Sequence, residues 1–256
     1  MGDWNPAQYL KFKKERTQPS IDLISKIKLE NPKSIIDIGC GPGNSTQVLY
    51  QRWPTAKIVG LDHSEEMIKK AQKDFPNQKW ILADVSRFET REKYDLIFSN
   101  ATLQWIPNHD FLLPHLFNLI NDQGALAVQV PANNESPLHQ ALLSTAHDKK
   151  WYCFTEGCEK LLNYRTPPYY YNLLSPIASH FDLWETTYYH VLPSQGELIE
   201  WYRSTGMRPF LERLPDDETK KQFEKDVLEG CRNDYKPQRD GRILYPFKRI
   251  FFVAYK

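Results

Sequence analysis

The chain of 256 residues has little of anything that marks a special environment. Its four cysteines (Cys40, Cys153, Cys158 and Cys231) form no CxxC pair. That excludes a zinc knuckle and a disulfide-stapled secreted scaffold, so no metal is expected and the thiols read as reduced and cytoplasmic. No apolar run approaches the roughly 18 residues of a membrane span. The opening MGDWNPAQY lacks the basic-then-apolar layout of a secretory signal, and Pro6 stands where a myristoylation motif needs Ser or Thr. An excess of one charge is missing too: 33 Lys and Arg meet 32 Asp and Glu, and the net charge of +1 gives nucleic-acid binding no support. There is no internal repeat and no low-complexity linker. What remains, 41% hydrophobic and 25% charged residues, describes an ordinary soluble globular chain, long enough for one α/β domain with an insertion.

Short apolar runs alternate with helical stretches. SIIDIG (Ser34 to Gly39), KIVGLD (Lys57 to Asp62), KWILAD (Lys79 to Asp84), YDLIFSN (Tyr94 to Asn100) and GALAVQV (Gly124 to Val130) read as five buried strands. Helices are predicted between them, and two more, from Asn5 to about Arg16 and from Ser20 to Ile27, precede the first strand. Such alternation predicts a doubly wound, mostly parallel sheet with helices on both faces. A helix from about Pro137 to Lys150 follows, then a strand over Phe181 to Leu192, two helical stretches between Ser194 and Asn233, and a last strand from Arg249 to Tyr255. The expectation is a single domain with seven strands and a Rossmann-like core over 34–130. Residues 1–30 form an N-terminal helical lid, and 194–242 a helical insertion covering the substrate site.

The sharpest local signal is DIGCGPGN, Asp37 to Asn44, between the first strand and a helix. A dinucleotide fingerprint would be G-x-G-x-x-G, with its third glycine at 44, but Asn44 stands there and the glycines are Gly39, Gly41 and Gly43. Asp62, with His63 beside it, closes the second strand, where a carboxylate can accept both hydroxyls of a ribose. Asp84 and Val85 close the third, a carboxylate and an N–H suited to the amine and a ring nitrogen of adenine. Asn100 closes the fourth. Any one of these alone reads equally as a cap or a turn former. Together they stand at the carboxyl edge of a parallel sheet, where open α/β sheets bind ligands. Carboxylates at that edge suit a donor bearing a sulfonium and an ammonium better than a pyrophosphate.

The G-x-G-x-G loop preceded by an acidic residue resembles motif I of class I S-adenosylmethionine-dependent methyltransferases. More narrowly, DWNPAQYL, IDIGCGPGNST, FSNATLQWIPNH, GALAVQVPANN, TTYYHVLPS, WYRSTGMRPFL and KRIFFVA are similar to segments of the trans-aconitate 2-methyltransferases, from Asp3 to Ala254. The resemblance implies S-adenosylmethionine as methyl donor and a small polycarboxylate as acceptor, esterified at one carboxylate. A carboxylic acid with a pKa near 4 is ionised at pH 7, so no general base is required, and catalysis rests on alignment and water exclusion. Arg203, Arg208, Arg249 and Arg16 are candidates to hold the acceptor's carboxylates. Trp105, next to Gln104, and Tyr188 and His190 at the end of the sixth strand are candidates at the reacting centre, with strand alternation allowing only one of Tyr188 and Tyr189 to face it. Tyr9 belongs to the N-terminal helix.

Three other readings compete. A carboxyl methyltransferase acting on malonyl-acyl carrier protein shares fold and chemistry, and a methyltransferase-like module can bind the donor without turnover. TPPYYY (Thr166 to Tyr171) resembles the motif by which base methyltransferases handle exocyclic amines, but there it closes the fourth strand, a place held here by Asn100.

Overall fold

The computed structural model describes residues 13–256, with side chains from residue 15 onward. Tyr9 and the expected helix before residue 13 lie outside the described residues. Helix α1 (Lys13–Lys26) runs straight through Pro19. The expected break there is therefore absent within 13–26: one proline removes a single backbone donor, while Leu23, Ile24 and the following Ile27, all buried, anchor the segment.

The chain continues β1 (Ser34–Ile38), α2 (Asn44–Arg52), β2 (Lys57–Asp62), α3 (Glu65–Asp74), β3 (Lys79–Leu82), β4 (Tyr94–Asn100), α4 (His109–Asn118) and β5 (Ile120–Pro131). Then come α5 (Pro137–Ala146), α6 (Tyr152–Thr155), α7 (Pro167–Leu174), β6 (His180–Leu192), α8 (Gly196–Arg203), α9 (Arg208–Leu211), α10 (Asp217–Cys231) and β7 (Ile243–Tyr255). The seven strands lie in the order β3-β2-β1-β4-β5-β7-β6. β1 pairs in parallel with both β2 and β4, and β2–β3 and β4–β5 are parallel as well. The N–H of Lys256 donates to the Gly124 carbonyl and that of Ala132 to Lys248. As one partner number rises the other falls, so β7 runs antiparallel to β5. The strand order reverses between β1 and β4, which is the topological switch point.

The described residues form two compact units. The first comprises the chain to Pro131 with Arg165–Thr186 and Ile250–Lys256. Its central strands are buried on both faces: Ile35, Ile36 and Ile38 of β1 and Leu96, Ile97 and Phe98 of β4 are all within 1% of full burial. α3 opens as its sequence demands, with the Ser64 hydroxyl accepting the Met67 N–H at 3.2 Å and Glu65 and Glu66 in the first turn. The TPPYYY segment is the start of α7, with its prolines in the first turn and Tyr170 fully buried. A helix-opening role explains it without any base chemistry.

The second unit comprises Ala132–Tyr164 and Thr187–Arg249. Its core is aromatic, built on Trp201, Tyr202, Phe210, Phe223 and Tyr245. α10, capped by Asp216, which accepts the Thr219 N–H at 2.8 Å, packs against α5. Three helices rather than the expected two lie between Ser194 and Asn233, because the SerThrGly turn at 204–206 ends α8 before α9 begins. The last strand is longer than predicted, so Arg249 sits inside it and not at its start. The third strand stops at Leu82, two residues before Asp84.

Candidate active site

The site grows from the end of β1. Asp37 is fully buried; its Oδ2 accepts the hydroxyls of Ser45 (2.7 Å) and Thr46 (2.6 Å) from the first turn of α2. Burial pushes its carboxyl up to about 6 against the pull of those two hydroxyls. The loop then folds over the end of β2, with the N–H groups of Gly39 and Cys40 donating to the Leu61 carbonyl. Gly39 has φ +70°, and a Cβ there would lie 2.0 Å from the Thr102 hydroxyl. Gly41 has φ +55° with open space where a Cβ would stand. At this point the backbone is free to meet a ligand. Gly43 closes the loop as the residue before α2.

Asp62 faces this loop. One carboxylate oxygen accepts the Gly41 N–H at 2.8 Å and the other the Ser64 N–H at 2.9 Å. Burial raises its pKa, and these backbone donors oppose the rise. Each oxygen still has a second lone-pair direction with which to accept a hydroxyl. His63 is exposed, its Nδ1 3.5 Å from Asp62.

Arg16, Ser20, Gly39, Asn44, Ser45 and Asn100 line a cleft beside the loop. Three buried polar atoms in it, the Ser20 hydroxyl, Asn44 Nδ2 and Asn100 Oδ1, have no hydrogen-bond partner among the described residues. Leaving a buried polar group unsatisfied costs about 1–3 kcal/mol, and these three are groups with which a polar molecule can bond. Sequence reasoning missed Ser20 and Asn44. Asn44 was legible only as the residue that breaks the dinucleotide pattern, and Ser20 carries no local signal.

Asp84 is exposed, and its Oδ1 accepts both the N–H (2.9 Å) and the hydroxyl (2.7 Å) of Ser86, capping a short 3-10 turn that starts at the buried Val85. Partial burial works upward on its pKa, but the Ser86 bonds outweigh it and the net shift is downward. Trp105 ends another 3-10 turn, Leu103–Trp105, and the neighbouring Gln104 donates from Nε2 to the Ala101 carbonyl at 2.7 Å.

The remaining candidates belong to the second unit. Tyr189 is 66% exposed, whereas Tyr188 is half-buried and His190 buried, so the alternation selects Tyr188. Arg249 is buried with its guanidinium 4.5 Å from the Phe247 ring. Arg203 differs from expectation. Its Nε and Nη2 donate to the two oxygens of Glu224 at 2.6 and 2.7 Å, and its Nη1 to Glu200. A guanidinium clasped by two carboxylates braces α8 to α10. Arg208 gives its Nε to Glu212 at 2.8 Å.

A family model described as a methyltransferase domain matches residues 29–195. The chain is 42% identical over 254 residues to the trans-aconitate 2-methyltransferase of Escherichia coli O139:H28 (strain E24377A / ETEC), covering 99% of this chain and 98% of that protein. The trans-aconitate 2-methyltransferase of Shigella dysenteriae serotype 1 (strain Sd197) is 41% identical over the same shares. Among solved structures, the YcgJ protein from Bacillus subtilis matches with a TM-score of 0.61 at 12% identity, over 93% of this chain and 98% of that one, a likeness of fold alone.

Proposed function

The chain belongs to the family of trans-aconitate 2-methyltransferases, and from that premise we propose that it esterifies one carboxylate of trans-aconitate with a methyl group from S-adenosylmethionine. The observation that carries this reading is identity of 42% sustained over 99% of the chain, because specificity residues outside the cofactor core are included in such a match. Unpaired thiols at all four cysteines support a reducing compartment, the cytoplasm.

The residues of the first unit fit the donor. Asn100 Oδ1, an acceptor, suits an ammonium, while Asn44 Nδ2 and the Arg16 guanidinium suit an α-carboxylate. Arg16 is thereby assigned to the donor rather than to the acceptor. Asp62 accepts the ribose hydroxyls with its spare lone pairs, and Asp84 offers its second oxygen to the adenine amine, with the Val85 N–H beside it. When bound, the donor supplies a methyl group on a positively charged sulfur, which a carboxylate oxygen attacks in line.

The chain's own work is then to bind, align and exclude water. No residue needs to take a proton, since the attacking carboxylate is already ionised. His190 fits that requirement: burial, aided by Arg249, lowers its pKa to about 4, so it is neutral at pH 7 and serves as a hydrogen-bonding group. Trp105 is proposed to wall the reacting centre. Arg203 is shared with Glu224 and Arg208 with Glu212, and Arg208 and Arg249 are the proposed cations for the acceptor.

Turnover of trans-aconitate, cis-aconitate, isocitrate and malonyl-acyl carrier protein, compared side by side with S-adenosylmethionine, tests the reading. The expected result is a monomethyl ester with trans-aconitate as the best acceptor. A preference for the carrier-bound malonyl group would replace the assignment by the carrier-protein alternative, and no ester with any of them would leave a donor-binding module.

A further inference from the structure

We propose that His109 is a positioning residue for methyl transfer: from the first turn of α4 its imidazole holds the Leu103–Trp105 turn and so sets where Trp105 stands. The inference rests on the methyltransferase reading, with Trp105 at the reacting centre, and adds to it the residue that keeps Trp105 in place.

The segment between β4 and α4 is bounded by two residues that are not glycine yet have left-handed backbones, Ala101 at φ +55° and Asn108 at φ +58°. Such conformations persist only where the surroundings fix them, and they gather at active sites. At its start the segment is fixed by β5 and the glycine loop. The Ala101 N–H donates to the Gln129 carbonyl at 2.9 Å, and the Thr102 hydroxyl to the Gly39 carbonyl at 3.3 Å. Toward its end the tie is His109, whose Nε2 donates to the Leu103 carbonyl at 2.8 Å. That carbonyl also accepts the Ile106 N–H at 2.9 Å, so the turn closes on itself and His109 joins the closed turn to α4.

The imidazole is itself held by packing. His109 is fully buried, its ring stacked on Tyr170 with centroids 6.0 Å apart and tilted to Tyr169 at 6.4 Å. Both tyrosines belong to TPPYYY, the segment that opens α7, and Tyr170 rests in turn on Phe252 of β7, 4.9 Å away. A motif that the donor site leaves unused thus supplies the slot for His109. Burial lowers the imidazole pKa against the pull of the Leu103 carbonyl, so the ring is neutral at pH 7 and has a single N–H. A carbonyl partner fixes that proton on Nε2 and leaves Nδ1 as an acceptor. Nδ1 has no hydrogen-bond partner among the described residues. A phenyl ring would fill the slot without that orphaned nitrogen, and what imidazole adds there is the bond to Leu103. Trp105 follows Leu103 by two residues, and a shift of about 1 Å at a reacting centre can cost about a hundredfold in rate.

The test compares the parent with His109→Phe, which keeps a ring in the slot and deletes the donor, and His109→Gln, which places an amide N–H near the position of Nε2. His109→Phe is also made in a Trp105→Ala background. With S-adenosylmethionine and trans-aconitate, we expect His109→Phe to lower kcat by at least about tenfold and His109→Gln by less than about threefold. S-adenosylhomocysteine affinity, measured by calorimetry, should stay within about threefold of the parent's in both, because Asn100 and Ala101 are tied to β5 and not to His109. Trp105→Ala should itself lower kcat, and on that background His109→Phe should cost less than about threefold more, since its effect passes through Trp105. A general loss of folding would instead multiply with the Trp105 loss. Full kcat in His109→Phe or in Trp105→Ala, an equal loss in His109→Gln, a matching loss of donor affinity, or losses that multiply in the double variant would overturn the positioning role. Hydrogen exchange over residues 101–106 separates that role from the proposed function, because it needs no turnover. A parent that forms no ester loses the proposed function. Faster exchange in His109→Phe with parent-like exchange in His109→Gln then keeps His109 as the anchor of the turn, and unchanged exchange removes it.

Discussion

At the scale of single residues, Asp62 does two jobs with one carboxylate. It ties the glycine loop through the Gly41 N–H and the start of α3 through the Ser64 N–H, and its remaining lone pairs are the proposed acceptors of the donor's ribose hydroxyls. Asp62→Ala removes the acceptor of two ribose hydroxyls and strands two backbone donors at once. S-adenosylhomocysteine affinity, measured by calorimetry, should fall by on the order of a hundredfold or more. An unchanged affinity would take Asp62 out of the site. Asp37, by contrast, is sealed in the core and acts on the loop only through Ser45 and Thr46. Both aspartates were legible in the sequence from their places at strand ends, yet only the structure separates Asp62, which holds the backbone of the glycine loop, from Asp37, which meets two hydroxyls of α2.

At the scale of elements, two loops are fitted to each other. The turn after β4 carries Ala101 at φ +55°, held by its N–H on the Gln129 carbonyl and its own carbonyl under Gln104 Nε2. Thr102 in the same turn donates its hydroxyl toward the Gly39 and Asn100 carbonyls, both at 3.3 Å. There is therefore no room for a side chain at Gly39. Gly39→Ala adds a Cβ 2.0 Å from the Thr102 hydroxyl and imposes φ +70° on a residue that disfavours it. Strain of this kind costs about 1–3 kcal/mol, before the displacement of Thr102 is counted. Chemical denaturation should show a loss of at least about 2 kcal/mol with weakened donor binding, and Thr102→Gly should restore only part of it, since the backbone strain stays. Full stability in Gly39→Ala would show that the turn yields freely.

At the scale of the whole molecule, the buried titratable groups set the response to acid. His139, whose Nδ1 lies 2.5 Å from the Tyr202 hydroxyl, and His190 both have pKa values lowered by burial to about 4, from 6.5. A depressed histidine contributes stability that is complete above pH 6.5 and lost as pH falls toward 4, about 3 kcal/mol for each. Asp37 acts in the opposite sense. Its value, raised from 3.8 to about 6, makes its contribution greatest at low pH and diminishes it as pH rises through that interval, by a similar amount. Asp95 sides with the histidines: partial burial is outweighed by bonds from Asn121 and from the Lys33 and Ser34 N–H groups, its pKa is lowered, and its stabilisation fades in acid. His109, lowered by burial, adds to the histidine side and Asp62, raised by burial, to the side of Asp37, so the balance between pH 6.5 and 4 is a net loss. Urea midpoints at pH 6.5, 5.5 and 4.5 should fall in that order, and His139→Gln should flatten the trend. Midpoints that hold steady or rise would mean that the histidines take up protons without unfolding.

Periodicity and punctuation in the sequence were enough to determine the parallel core, the glycine loop and the aspartates near the strand ends. Those features are local: alternating buried strands and helices declare themselves over a few residues, and a strand-end aspartate is recognisable from its neighbours alone. The merging of the expected helical segments through Pro19 and the full length of β7 were decided by packing that no short window contains. The same holds for the arginines. Arg203 and Arg249 look alike in sequence, each in a family-like segment and each able to grip a carboxylate. Only tertiary structure brings Glu224, 21 residues away, onto Arg203, and lays Arg249 on Phe247 with His190 from another strand nearby. A cation's role depends on which partner the fold delivers to it, and that partner comes from a distant part of the chain.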